Sequence, residues 1–272
     1  MSIQEKCRIL DHQQIAPQHF KLTLVSKYIS AHGLPGQFIN VKVSDSYDPL
    51  LRRPLSLHRI MPEEESFELL YEVVGKGTEL LSKRTVGSEI DVLGPLGSGF
   101  SLEQKEIAVL VGGGMGVAPL LALAEALKDP VASSQGPGAK AIYVLLGARN
   151  RARVLAEKEF RSVTEQVLIA TDDGSYGKKG FVSDILIDVL ENTLEPRTQN
   201  LAVIYACGPD LMLKAVTDIA FQKKIPAQVS MEQRMACGIG TCLGCVIGTK
   251  NGYKKVCDDG PVFNSEELIW QD

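Results

Sequence analysis

Four cysteines near the end of the chain have the spacing of an iron–sulfur ligand set. They read C-x4-C-x2-C-x11-C and are Cys237, Cys242, Cys245 and Cys257. The first three match the plant-type ferredoxin loop for a [2Fe-2S] cluster, in which a tight loop wraps one edge and a distant strand supplies the fourth thiolate. A structural zinc site with four cysteine ligands is the alternative, but such sites favour paired C-x2-C knuckles and this set contains one. We therefore expect a [2Fe-2S] centre.

A glycine-rich turn indicates a site for a nucleotide phosphate. The apolar run 107–111 predicts a strand buried on both faces, and it is followed by GGGMGVAP over 112–119 and a helical pattern. Glycines let the backbone approach a pyrophosphate, and a helix N-terminus offers it N–H donors. Because the strict G-x-G-x-x-G spacing is absent, a tight structural turn remains the alternative. The candidate binding residues are Gly113, Gly114, Met115 and Gly116.

The carboxyl ends of two later strands carry further candidates for the same nucleotide. Cys207, Gly208 and Pro209 follow the last strand of the α/β half, at the edge where open parallel sheets bind ligands. A buried small residue is the alternative for Cys207. Asp172 and Asp173 follow the third strand, where a carboxylate would bond a ribose and repel a 2′-phosphate, which favours NAD over NADP. A turn with side-chain-to-backbone hydrogen bonds is the alternative there.

An arginine and a hydroxyl lie three residues apart in an early β segment, which reads LRRPLSL over 51–57. Arg53 can clamp a pyrophosphate with two parallel hydrogen bonds. Ser56 can bond the edge of a flavin ring. Because Pro54 prefers edge strands, a surface pair of arginines on an edge strand is the alternative.

Three stretches of different character must position these residues. Residues 1–101 carry several short strand patterns between glycine and proline turns, which predicts an antiparallel β barrel. Residues 102–225 alternate strand and helix about four times, which predicts a parallel α/β sheet. Residues 226–272 are rich in cysteine and glycine, and a segment this small needs a staple such as a metal site.

Composition excludes several classes of protein. The chain has 272 residues, a net charge of −4 and a pI of about 5.7, so there is no large basic field for nucleic acid. No run of about 18 apolar residues marks a membrane span. The N-terminus has no apolar core of a secretory signal, so we expect six reduced cysteines in a cytoplasmic protein.

The order of these motifs resembles the ferredoxin–NADP reductase superfamily, whose members place FAD on the barrel and a nicotinamide nucleotide on the α/β domain. The segments MACGIGTCLGC over 235–245 and VCDDGPVF over 256–263 are similar to those of the electron-transfer subunits of class B dihydroorotate dehydrogenases. The resemblance covers the whole chain. It places FAD contacts on nine residues: Arg53, Pro54, Leu55, Ser56, Leu70, Tyr71, Glu72, Gly77 and Thr78.

One position departs from the superfamily, which often has an aromatic residue stacked on the isoalloxazine where Leu55 stands. Tyr71 is a candidate to cover that face of the flavin instead. As alternatives, Leu70 and Tyr71 also fit ordinary strand positions, and Thr78 fits a helix N-cap.

The resemblance implies an electron path and a partner. Electrons would pass from FMN in a separate catalytic subunit through the [2Fe-2S] cluster and FAD to NAD+, with dihydroorotate oxidised in the partner during pyrimidine synthesis. The family assembles as a heterotetramer of two copies of each subunit. One alternative is a related reductase subunit serving NADP and ferredoxin, or sulfite or sulfur. Another is a nucleotide-binding regulator with a zinc-stapled tail.

Overall fold

The first third of the molecule is a closed antiparallel barrel, as the sequence predicts. The computed structural model describes residues 2–103, 105–129, 138–194 and 199–270. Around the barrel the strands run β1-β2-β5-β4-β3-β6. Their bounds are β1 Ile3–Ala16, β2 His19–Val25, β3 Phe38–Val41, β4 Arg53–Met61, β5 Ser66–Glu72 and β6 Glu89–Leu96.

Alternation along the strands fills the barrel. In β3, Ile39 and Val41 point into the barrel core, whereas Phe38 packs outside it against the C-terminal segment. Two short helices, α1 (Lys27–His32) and α2 (Lys76–Ser82), pack on the barrel, and each contributes one side chain, Ile29 and Leu81, to its core. The hydroxyl of Ser26 accepts the N–H of Ile29 and caps α1.

Two local features of the barrel differ from expectation. The longest strand, β1, has no clean alternation in its second half, where Leu10 and Ile15 are exposed. Helix α2 begins at Lys76, so Thr78 is not its N-cap. Instead, the Thr78 hydroxyl reaches back and accepts the N–H groups of Val74 and Gly75 at 3.0 and 3.3 Å.

The central part is the expected α/β layer built on a seven-stranded sheet of order β10-β9-β8-β7-β11-β12-β15. All neighbours are parallel except β15, which is antiparallel to β12. The strands are β7 Ile107–Gly113, β8 Ala141–Ala148, β9 Val167–Thr171, β10 Lys178–Lys179, β11 Ala202–Cys207, β12 Ala227–Ser230 and β15 Val262–Asn264. The helices are α3 Ala118–Lys128, α4 Glu157–Val163, α5 Val182–Asp188 and α6 Asp210–Lys223.

The sheet continues beyond the domain boundary expected after residue 225, because β12 and β15 both belong to it. The exact division at 101, 225 and 226 therefore stays a prediction. Strand β7 is buried along its whole length, as expected for a parallel strand covered on both faces.

The C-terminal segment packs on both other parts. It contains a hairpin of β13 (Val246–Thr249) and β14 (Gly252–Lys255), followed by β15, which joins the sheet. On the barrel side, the N–H of Ser98 donates to the carbonyl of Gly260 at 2.6 Å. Among the helices of the described residues, none is both long and apolar enough to cross a bilayer.

Candidate metal centre and nucleotide-binding sites

The four predicted ligand cysteines are brought together by backbone hydrogen bonds to their sulfurs. The N–H of Cys242 donates to Sγ of Cys237 at 3.3 Å. The N–H of Cys257 donates to Sγ of Cys245 at 3.5 Å. Gly240 links the loop to the distant ligand, because its N–H lies 3.2 Å from Sγ of Cys257. The loop and the distant segment are thus joined by hydrogen bonds at three of the four sulfurs, and none of the four cysteines forms a disulfide.

Two loop glycines have backbone angles that a side chain would strain. Gly238 has φ +68° and Gly240 has φ +76°, which is the left-handed region. A β-carbon on Gly240 would also lie 2.5 Å from a carboxylate oxygen of Asp258. These glycines turn successive N–H groups inward, and such groups stabilise negative charge on sulfur.

The hydrogen bonds within the loop favour the thiolate form of Cys237. Against a desolvation penalty, backbone N–H groups led by that of Cys242 lower the pKa of Cys237 to about 6. Desolvation raises the pKa of the buried Cys257 thiol to about 12, so metal binding must displace its proton. Four cysteines in neighbouring segments, N–H donors to three of their sulfurs and a permissive loop fit a [2Fe-2S] cluster.

On the barrel, the structure brings two of the predicted FAD elements into contact. Arg53, at the start of β4, lies against Gly77 in α2, where a β-carbon would be 2.3 Å from Nε of Arg53. The guanidinium is partly exposed, and its Nη1 donates to the carbonyl of Leu51 at 2.6 Å. A side chain at position 77 would displace the guanidinium from this position, so glycine there lets a cationic group lie against α2.

The pairing of β4 changes side halfway along the strand. Residues 53–56 pair with β3, whereas the register with β5 begins at Leu57. The stretch from Arg53 to Ser56 is therefore half-exposed. Pro54 lies in this stretch, which accommodates a residue without an N–H although the barrel is closed.

Strand β5 resolves the alternatives for its three candidates. Leu70 is buried in the core shared with α3 and β7. Tyr71 lies inside the barrel, 1% exposed, where its hydroxyl shares a 2.8 Å hydrogen bond with Nε2 of His12. The idea that the Tyr71 ring covers a flavin face is therefore wrong. Glu72 is half-buried and accepts a hydrogen bond from Arg153 of the α/β half at 3.0 Å.

The glycine-rich turn and the later Cys-Gly-Pro segment meet at the carboxyl edge of the sheet. The turn follows β7, forms a short 3-10 helix over Gly114–Val117 and leads into α3. A β-carbon on Gly116 would lie 2.1 Å from the carbonyl oxygen of Cys207, and one on Gly113 would lie 2.5 Å from Sδ of Met212. Both segments thus pack backbone to backbone, as a close-approach site for a nucleotide requires.

Cys207 lies where two strand ends meet. It ends β11 and pairs with Ser230, which ends β12. Burial raises the pKa of its thiol to about 12, and the nearby carboxylate of Glu232 acts in the same direction. Cys207 is therefore a neutral thiol at the edge of the nucleotide site.

The acidic pair after β9, Asp172 and Asp173, lies in a turn with a side-chain-to-backbone hydrogen bond, which was the alternative to a ribose contact. The carboxylate of Asp173 accepts the N–H of Ser175 at 2.9 Å, and these hydrogen bonds lower its pKa. Asp172 is exposed. NAD selection by this pair stays a prediction.

A network of charges joins the barrel to the α/β half, and sequence reasoning missed it. His58 is fully buried on β4 and uses Nδ1 to bond the carbonyl of Ala118 at 2.9 Å. Lys21 of β2 lies 2.9 Å from Glu159 of α4, and Arg59 lies 2.8 Å from Glu125 of α3. Alternation along β4 gave no reason to single out His58, since its partners lie on distant elements.

The barrel, the nucleotide sheet and the cysteine-rich segment define a reductase of the ferredoxin-reductase type with an iron–sulfur domain. A solved ferredoxin reductase of carbazole 1,9a-dioxygenase shares the fold, with a TM-score of 0.65 and 20% identity over 82% of this chain and 67% of that chain. A structure of an NADH-dependent reduced ferredoxin–NADP oxidoreductase matches with a TM-score of 0.82 and 32% identity, over 97% of this chain and 90% of that chain.

Sequence comparison narrows this class. The model of the "Iron-sulfur cluster binding domain of dihydroorotate dehydrogenase B" matches residues 232–269, and that of the "Oxidoreductase NAD-binding domain" matches residues 110–218. The dihydroorotate dehydrogenase B (NAD(+)) electron transfer subunit of Bacillus caldolyticus is 42% identical over 97% of this chain and 98% of its own length. The chain belongs to the family of dihydroorotate dehydrogenase B electron transfer subunits.

Proposed function

We propose that this chain carries electrons from the FMN of a partner catalytic subunit to NAD+, in a cytoplasmic complex of two copies of each subunit. The complex oxidises dihydroorotate to orotate for pyrimidine synthesis, and that oxidation takes place in the partner. FAD, a [2Fe-2S] cluster and NAD are the groups used by this chain. Nicotinamides exchange electron pairs as hydride and iron–sulfur clusters exchange single electrons, so the flavin converts between the two.

The observation that carries the proposal is the position of the cysteine-rich segment. It bonds the barrel through Ser98 and Gly260 and joins the nucleotide sheet through β15. The sequence motifs for all three groups therefore lie on parts of the molecule that are in direct contact. Electron transfer needs such adjacency, whereas a zinc-stapled regulator would not.

The residues proposed to hold each group are those that match the sequence motifs. The cluster is held by the four cysteines. FAD is held at Arg53, Pro54, Leu55, Ser56, Leu70, Tyr71, Glu72, Gly77 and Thr78. Leu70 and Tyr71 contribute main-chain atoms only, because their side chains are buried in apolar cores. NAD is held at Gly113, Gly114, Met115, Gly116, Cys207, Gly208 and Pro209.

The partner is proposed to dock on the outer side of the cluster loop. Ile239 and Leu243 lie between the ligand cysteines and are 49% and 78% exposed. Exposed apolar side chains next to a functional site are typical of a protein contact. A catalytic subunit seated here would bring its flavin next to the cluster.

Co-expression of the chain with a candidate FMN subunit tests the proposal. We expect a complex of two copies of each subunit that contains FAD, FMN, iron and sulfide, and that reduces NAD+ with dihydroorotate. The chain alone should oxidise NADH with an artificial acceptor but leave dihydroorotate unchanged. Dihydroorotate turnover by the chain alone would contradict the division of labour, and a colourless chain that holds zinc would contradict the electron path.

A further inference from the structure

Asn40 is a buried polar side chain in an otherwise apolar strand. Its strand β3 reads Phe-Ile-Asn-Val, and all four residues are buried. Asn40 itself is 1% exposed. A carboxamide in such a place costs free energy unless its groups find partners. Because side chains alternate along a strand, Asn40 projects outside the barrel together with Phe38, towards the C-terminal segment.

The partner of this carboxamide is the cluster loop. Nδ2 of Asn40 donates to the carbonyl of Cys237 at 3.4 Å. The next residue, Gly238, lies so close that a β-carbon on it would be 1.9 Å from Nδ2 of Asn40. The backbone of the loop therefore rests directly on the carboxamide, at the first cluster ligand.

The other side of Asn40 belongs to the predicted flavin site. In the sheet register Asn40 lies opposite Pro54, in the stretch of β4 from Arg53 to Ser56. The main-chain carbonyl of Asn40 accepts a hydrogen bond from Nη1 of Arg52 at 3.3 Å. Arg52 also bonds the carbonyl and the carboxylate of Asp91 at 3.2 and 2.5 Å, so this part of β3 is fastened to β6.

We propose that Asn40 is a positioning residue that fixes the cluster loop relative to the flavin-binding strand, and so sets the rate of electron transfer between the cluster and FAD. The inference rests on the proposed function. In each transfer one electron leaves one group and enters the other, and Asn40 exchanges neither an electron nor a proton. Its role is to keep the first cluster ligand at a fixed separation from β4.

A positioning residue is needed here because a loop by itself holds a site less precisely than a helix or strand does. A site on a loop needs neighbouring side chains to hold its geometry within about 0.5 Å. The loop at Cys237 is fastened from within by the hydrogen bond from Cys242. Asn40 supplies the fastening from outside, and it does so from the strand that pairs with the flavin segment.

Two variants of the cofactor-loaded chain test this role. Asn40→Leu keeps the volume and removes the donor, and Asn40→Asp keeps the shape but turns an acceptor towards the Cys237 carbonyl. Ser66→Ala is the control, since Ser66 is fully buried in the barrel and its hydroxyl has no partner among the described residues. The measurements are iron, sulfide and FAD content, NADH oxidation with dichlorophenolindophenol, and the rate of cluster reduction after rapid mixing with NADH.

We expect both Asn40 variants to retain FAD, iron and dye reduction by the flavin, while cluster reduction slows several-fold, because electron tunnelling weakens as the two groups move apart. The electron paramagnetic resonance signal of the reduced cluster should also shift. Cluster reduction at the wild-type rate in both variants, or equal slowing in Ser66→Ala, would overturn the proposal. Loss of iron in both variants would overturn it too, because Asn40 would then serve assembly.

A coupling measurement needs no electron transfer at all. Gly238→Ala should lower the melting temperature strongly in the wild-type background and less in an Asn40→Ala background, where the carboxamide no longer occupies the space. If Gly238→Ala lowered the melting temperature equally in both backgrounds, Asn40 would not hold the loop and the proposal would be overturned. If the wild-type chain itself lacks FAD or the cluster, or if NADH fails to reduce its cluster, the proposed function fails, whatever the variants do.

Discussion

Gly116 and Cys207 are 91 positions apart in the sequence, yet a β-carbon on Gly116 would lie 2.1 Å from the Cys207 carbonyl oxygen. This contact joins the turn after β7 to the turn after β11. The two turns together form one edge of the sheet, although the sequence of each turn alone is only a weak signal for a nucleotide site. Since neither backbone can move without disturbing a strand, the contact holds the shape of the edge.

Gly116→Ala should therefore open the nucleotide edge. The added methyl group clashes with backbone rather than with a flexible side chain, so we expect a KM for NADH raised about tenfold and a melting temperature lowered by several degrees. Gly248→Ala is the control, since a β-carbon there meets nothing within 4 Å. Steady-state kinetics with a dye acceptor gives the KM. An unchanged KM in Gly116→Ala would contradict a nucleotide role for this edge.

Cys242→Ser should remove the cluster and spare the flavin. The substitution replaces one of the four thiolates by a hydroxyl, which is a much poorer ligand for iron, while the main-chain N–H of residue 242 still bonds Cys237. We expect iron and sulfide to fall to background, while FAD content and dye reduction by NADH persist. Cys7→Ala is the matched control, because Cys7 lies in the barrel core and should leave the iron content unchanged. Full iron content in Cys242→Ser would contradict the ligand assignment.

The carboxylate of Glu159 should make the contact between the barrel and the α/β half sensitive to acid. His58, whose Nε2 lies 3.9 Å from Glu159, and Lys21, at 2.9 Å, lower the pKa of Glu159 to about 2, against the desolvation that opposes them. The stabilisation from a lowered carboxyl pKa is fully present above the unfolded value, near 4.5, and is lost as the pH falls towards 2.

Glu159→Gln isolates that contribution. The variant should be less stable than the wild type by about 2 kcal/mol at pH 7, and the difference should vanish as the pH approaches the folded pKa. Denaturant unfolding across the acid range measures the difference between the two proteins at each pH. Lys158→Gln, on the same helix, serves as an exposed-charge control and should show little difference. A stability difference for Glu159→Gln that does not change with pH would contradict the linkage.

Local patterns predicted the layers of this fold because each layer repeats a short period. The continuous apolar run of β7 and the period-two alternation of β2 are properties of neighbouring residues. Strand β1 carries no such pattern in its second half, which faces solvent and lacks alternation. The inward position of Tyr71 depends on the register with β2 and on His12, which no local pattern reveals.

A short sequence pattern indicates the candidate ligand cysteines, but no such pattern indicates the contacts around them. Their spacing can be read along one stretch of about 20 residues, whereas the pairs Asn40–Cys237 and Glu72–Arg153 join distant elements. The signal for Asn40 was a single polar residue inside an apolar strand. That pattern marks an unusual site without identifying its partner.

Arg53→Ala should reduce the FAD content of the purified chain. The guanidinium is the cation held ready against Gly77, and its loss removes a charge-assisted contact to a pyrophosphate worth about 2 kcal/mol. We expect the FAD dissociation constant to rise about thirtyfold, measured by flavin fluorescence on release. Arg53→Lys should recover part of the affinity, since lysine keeps the charge and loses the fork. Arg8→Ala, at an exposed position of β1, controls for net charge, and equal FAD loss there would contradict a specific site.

Leu243→Glu should weaken the complex with the catalytic partner while the isolated chain keeps its cofactors. Leu243 is 78% exposed between two cluster ligands, so a charge there costs little in the free chain but must be desolvated in an interface. We expect the dissociation constant for the partner to rise about a hundredfold, with iron and FAD contents unchanged. Leu211→Glu is the control, since Leu211 is 84% exposed on α6, outside the cluster loop. If both variants weakened the complex equally, or if neither weakened it, the docking surface would lie elsewhere. A partner that docks on the cluster loop should be sensitive to Leu243→Glu alone.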